Sequence, residues 1–118
     1  MIRYRNTALS STVTNITTNG VVPTGGYVLK GFNVINTANS TDVYIKFFNA
    51  AASNVTLGTT AVHATLHVPA NASIFLEGNT YNFIANFDTG MSVACVTGLA
   101  DSSTTAPSTA VHFSCKYE

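Results

Sequence analysis

The sequence predicts an all-β chain: an antiparallel β-sandwich of about seven or eight short strands, jelly-roll or immunoglobulin-like, with an extended N-terminal arm. Three observations predict it. In DVYIKFFN, Val43, Ile45 and Phe47 alternate with Asp42, Tyr44, Lys46 and Phe48. That is the period of two that a strand with one buried face requires. Such runs are short and broken by Asn36–Thr41, Pro69-Ala70-Asn71, Glu77-Gly78-Asn79 and Asp88-Thr89-Gly90, residue types that stabilise turns. No segment of about ten residues or more carries apolar positions at helical spacing.

Taken in order, residues 1–24 are set apart from a sandwich domain at 25–118. They are rich in Thr, Ser and Asn, and Leu9, Val13 and Ile16 are too sparse for a helix face. They read as an arm that reaches a neighbouring subunit, extended near Ala8–Thr14, with a first sheet strand as the alternative. Val28–Asn36 and Asp42–Asn49 read as an opening hairpin. Ala50–Leu57 is a loop, and Val62–Val68 is a strand with Ala64, Leu66 and Val68 inward. Ser73–Leu76 is short. Tyr81–Phe87 sets Tyr81, Phe83, Ala85 and Phe87 against Asn82, Ile84 and Asn86. Met91–Thr97 follows, then a long loop, Gly98–Thr109, and a last strand, Ala110–Tyr117.

With 118 residues, one domain is expected. Only 8% of residues are charged while 46% are hydrophobic, which argues for a folded chain rather than a disordered one. Five Lys+Arg balance five Asp+Glu, so the basic footprint of a nucleic-acid binder is missing. So little charge protects a monomer poorly against association and points to life inside an assembly. Thr7–Thr18 is too polar for a signal-peptide core. No run approaches the roughly 20 apolar residues of a membrane span. Assembly in a cytoplasm is the expectation, and the N-x-S/T triplets at Asn15, Asn39, Asn54 and Asn71 then carry no glycosylation meaning.

Reactive residues are few and scattered. His63 and His67 share one face of a strand, where four-residue spacing separates them by about 13 Å, too far for one metal ion. His112 falls on the solvent side of the last strand. Asp42, Glu77, Asp88, Asp101 and Glu118 show no spacing that pairs them, and Asp42, Asp88 and Asp101 lie in or beside turns. Cys95 and Cys115 fall on the apolar sides of their strands and read as buried thiols; a disulfide would require neighbouring strands and an oxidising compartment. No nucleophile elbow, phosphate loop, zinc-helix or dinucleotide fingerprint occurs. The expectation is a non-enzyme with no cofactor, no metal site and no catalytic residue. Tyr44 and Phe48, flanking Lys46 on the outward face of their strand, are covered by the same chain or belong to a subunit interface, where aromatics are enriched.

From Gly25 onward the chain resembles a small β-sandwich found in structural proteins of tailed bacteriophages. The pieces that carry the likeness are LKGFNVIN (29–36), DVYIKFFN (42–49), LGTTAVHATLHVPAN (57–71), FDTGMSVACVTGLADSSTTAP (87–107) and VHFSCKY (111–117). The resemblance implies a virion component, most like a capsid decoration (cement) protein bound outside the major capsid protein shell, commonly as a homotrimer. The chain departs from it near His63, where a proline is common, and residues 1–24 have no counterpart. On this reading Arg3 and Arg5 contact the capsid or a neighbour, Tyr44 and Phe48 serve subunit packing, and neither nucleic acid nor membrane is a partner. A carbohydrate- or host-surface-binding module and a tail or neck component are the alternatives.

Overall fold

The computed structural model describes residues 1–17, 22–77 and 82–118, which form nine strands, one short 3₁₀ turn and no α-helix. In chain order the strands are β1 (Arg3–Leu9), β2 (Thr14–Asn15), β3 (Tyr27–Ile35), β4 (Val43–Phe48), β5 (Ala64–Val68), β6 (Ser73–Leu76), β7 (Ile84–Phe87), β8 (Ser92–Val96) and β9 (Val111–Tyr117). They make two antiparallel sheets. The front sheet runs β1-β9-β3-β6 with β7 also on β3, and the back sheet runs β2-β8-β4-β5.

β6 pairs with residues 32–35 of β3 and β7 with residues 27–29, so β6 and β7 behave as one interrupted strand. Every other connection except β4 to β5 crosses from one sheet to the other. This wrapped order is that of a jelly roll rather than an immunoglobulin domain, whose first two strands share a sheet.

The expected hairpin of Val28–Asn36 with Asp42–Asn49 does not form, because β3 and β4 lie in opposite sheets. The polar stretch between them is a crossover. Its buried Asn36 and Asn39 bond backbone groups at the sandwich end, which is what allows a polar loop to pass there. Nor are residues 1–17 a free arm. Arg3–Leu9 pairs with Tyr117–Val111 through the whole of β1, so the alternative of a first sheet strand describes it. Leu9 and Ile16 are fully buried in the core.

Alternation holds where it was clearest. Val43, Ile45 and Phe47 of β4 face the core, as do Val93 and Cys95 of β8 and Val111, Phe113, Cys115 and Tyr117 of β9. Phe47 reaches across the sandwich, its ring centroid 6.5 Å from Phe87 and 6.1 Å from Phe113. Each such buried ring contributes about 2–3 kcal/mol of transfer free energy.

Two bulges break the parity. β3 takes two residues, Leu29 to Gly31, where β9 takes one, and β7 takes three from Ile84 to Phe87 where β3 takes two. Asn86, with φ of 65°, absorbs the extra step in β7, a left-handed conformation that Asn tolerates. Consequently Ile84 packs on the core while Phe83 is 41% exposed, the reverse of the expected facing. Tyr81 lies outside the described residues.

Candidate binding surface

The two outer faces of the sandwich differ. On the back sheet, the outward residues Lys46, Phe48, Ser92, Ala94 and Val96 are all buried. Two connections cover them. Residues 97–110 fold over the sheet, with Thr97 N–H bonded to Thr105 O at 3.0 Å, and residues 49–63 abut them. Gly58 sits so close to Thr104 and Ser102 that a Cβ there would come within 2.7 Å of the Thr104 methyl. Ser92 Oγ donates to Ala50 O at 2.8 Å.

Lys46 pins this layer. Its ammonium donates to Leu99 O and lies 4.0 Å from the exposed Asp101 carboxylate. Burial holds its pKa below the usual lysine range, and the Asp101 charge opposes that only in part. A depressed lysine pKa makes the folded chain release this proton first, so stability rises as pH climbs toward the normal lysine range. Lys46→Met discards both the desolvation cost and one charge-assisted bond. It is expected to stay within about 1 kcal/mol of the parent, to lose that alkaline rise, and to speed amide exchange in 97–110. Urea titrations from neutral to alkaline pH, with exchange by NMR, check all three.

The interface residues expected from sequence therefore have different fates. Phe48 is fully buried within the chain and has no surface left for a neighbouring subunit. Tyr44 is half-buried and stacks on His67, centroids 4.9 Å apart at 15°. Arg3 is exposed on β1. Arg5 is half-buried beside Cys115, its buried Nε without a hydrogen-bond partner.

His63 bonds Ala85 O at 2.8 Å with its ring against Phe87, while His67 bonds Asp42 at 2.9 Å. Among the described residues, no group of three or more His, Cys, Asp or Glu side chains is placed to hold a metal. Cys95 and Cys115 are free and buried in opposite sheets, and burial pushes both thiols up to about 12.

His67 and the Ala70 amide hold the Asp42 carboxyl below the usual aspartate range. The stabilisation is thus present above that range and lost as pH falls through the lowered value. Asp42→Asn should flatten the acid end of the stability profile, read as urea midpoints between pH 6 and about pH 2.5. Because the pair is half exposed, the change is small.

Among the described residues, no connection covers the front sheet in this way. Its outward side chains form cross-strand rows set by the register. One row is Asn6–Ser114–Asn33–Phe75, and the next is Tyr4–Lys116–Gly31. Tyr4 is 74% and Phe75 66% exposed. Between them runs an open groove of about 320 Å³ with Gly31, Asn33, Ser114 and Lys116 in its floor and Glu77 at its rim. A second depression of about 480 Å³ lies by Arg3 and Tyr27, where Lys30 and the N-terminal ammonium both pair with Glu118, at 3.0 and 3.5 Å.

Sequence reasoning missed Tyr4 and Phe75. The signal was the same parity rule: Phe75 alternates with Ile74 and Leu76, and Tyr4 with Arg3 and Arg5. Comparison with family models, with curated proteins and with solved structures returns no match to this chain.

Proposed function

We propose that this chain is a structural protein of a tailed-bacteriophage virion, a decoration protein that seats on the outside of the major capsid shell and stabilises it. It works by adhesion, not catalysis, and acts as a homo-oligomer, a trimer in the first instance. The observation that carries this reading is the loop layer over the back sheet. Its parts come from 42–49, 57–71 and 87–107, three of the five segments in which the sequence resembles phage virion sandwiches. They meet through the Lys46–Leu99 bond and the Gly58–Thr104 approach.

A jelly roll that devotes the β4 and β8 part of one sheet face to holding two loops gains a rigid platform. That platform exposes Leu99, itself 64% exposed, together with Asp101, Ser102, Thr104 and Thr105. Contacts of this kind are individually weak and add through the repeats of a shell.

The test is co-sedimentation with capsid shells stripped of this protein. Saturable binding at lattice-related positions is expected. Leu99→Asp should weaken it by about tenfold or more, as loss of a central apolar anchor does, without changing the melting temperature. Failure of the parent to bind would sink the reading; undiminished binding by the Leu99 variant would move the contact to another face.

A further inference from the structure

We infer that the outer face of the front sheet is a binding site for a neutral glycan, with Tyr4 and Phe75 as its two stacking rings. The inference stands apart from shell docking, which uses the opposite face. The groove is built by register. Tyr4 stands on β1 and Phe75 on β6, with β9 and β3 between them. Three strand spacings of about 4.8 Å put these flanks about 14 Å apart, which leaves room for one pyranose width once the rings are counted.

The floor is low because Gly31, at the β3 bulge, contributes no side chain between Lys116 and Asn33. It is also polar in the right way. Asn6, Ser114 and Asn33 lie side by side in one cross-strand row. Among the described residues, none donates to or accepts from their side chains. Asn36 and Asn39 elsewhere are fully engaged. Amides and a hydroxyl offer both donors and acceptors, which matches sugar hydroxyls, while an aromatic face receives the apolar C–H face of a pyranose.

Charge selects among sugars. The alternation of β1, β3, β6 and β9 turns Arg5, Phe32, Leu76 and Cys115 toward the opposite face of the sheet from Tyr4, Asn33 and Phe75. Of the outward groups, Lys116 and Glu77 carry opposite charges, so the outward charges balance. A strongly anionic ligand finds no cluster of cations here. A rigid sheet floor with a fixed row of polar groups is also preorganised, which limits the ordering cost of binding.

The probe is an array of neutral hexose and N-acetylhexosamine oligosaccharides beside an arm of sialylated and uronic-acid glycans. Hits are titrated into the full chain by NMR. The expected result is binding to neutral members that shifts the amides of Gly31, Asn33 and Ser114. Tyr4→Ala and Phe75→Ala should each weaken it about tenfold, the scale of losing one stacked ring. Both side chains are exposed, so the melting temperature should not move, and Asn33→Ala supplies a third variant.

The inference is overturned by an array without neutral hits at about 10 mM sugar, a level that fills even a millimolar site. It is overturned equally by binding that both ring variants leave intact, or by preference for the acidic arm. Self-association that Tyr4→Ala and Phe75→Ala abolish in sedimentation would assign the face to a second copy instead.

Discussion

Removal of residues 1–24 is expected to unfold the chain rather than trim a tail from it. β1 supplies the edge of the front sheet, paired with β9 from Arg3–Tyr117 to Leu9–Val111. Residues 10–17 then tie that edge to the back sheet. Cys95 N–H donates to Ser10 O at 2.8 Å and Ile16 N–H to Met91 O at 2.9 Å. Leu9 and Ile16 are both fully buried. Deleting one buried aliphatic side chain costs about 2–5 kcal/mol, and a domain of this size is stable by about 5–15 kcal/mol in total. Losing both, together with a whole ladder, exhausts that margin. The truncated chain should give a collapsed amide spectrum and no cooperative melt. Leu9→Ala is the graded version, expected to fold but to melt about 10–15 °C lower. A dispersed spectrum and a near-parental melt from the truncated chain would show that β1 is an ornament on a self-sufficient sandwich.

That prediction reverses what the N-terminal sequence suggests, and the reason is physical. In RYRNTAL the inward positions are Arg3, Arg5, Thr7 and Leu9. At the open edge of a sandwich, inward side chains need not be apolar, so the alternation that marks β4, β8 and β9 is absent. Alternation also assigns faces and not partners. It placed Val43, Ile45 and Phe47 inward correctly, yet could not say that β3 and β4 belong to different sheets. Bulges hide too, because a single extra residue near Asn86 inverts which of Phe83 and Ile84 is inside. The candidate site was the least legible part. Tyr44 and Phe48 do point away from the core, but 97–110 folds back over Phe48's sheet face, a contact that no local pattern encodes. The groove draws Tyr4, Gly31, Phe75 and Ser114 from separate strands, and only strand order makes them neighbours.

Asn39→Ala is expected to cost about 2–4 kcal/mol, a large loss for a single polar side chain. Asn39 is 2% exposed. Its Nδ2 donates to Asn36 Oδ1 at 2.8 Å and to Thr109 O at 2.9 Å, while its Oδ1 accepts from Thr109 N–H at 2.9 Å. Asn36 Nδ2 in turn donates to Pro69 O at 3.0 Å and Thr41 O at 3.2 Å. The backbone continues the network, Asn71 N–H donating to Asn39 O at 2.9 Å. Three sheet-to-sheet crossovers thus meet at the Asn36–Asn39 pair: the Asn39 side chain ties the β3-to-β4 crossover to the β8-to-β9 crossover, while the Asn36 side chain and the Asn39 carbonyl hold the β5-to-β6 crossover. Alanine leaves Asn36 Oδ1 buried without its donor, and a buried orphan costs about 1–3 kcal/mol. Thr109 is exposed, so water relieves its amide and carbonyl, which is why the total stays below the sum of the parts. Asn39→Asp separates packing from bonding. It keeps the shape and the acceptor for Thr109 N–H, but it sets a carboxylate against Asn36 Oδ1 and Thr109 O. That variant should be at least as unstable as alanine at neutral pH and recover in mild acid, where the proton restores one donor. Urea midpoints at both pH values, with amide exchange at Thr109, read the result. An alanine variant within about 0.5 kcal/mol of the parent would mean that water replaces the asparagine and that the crossovers hold themselves.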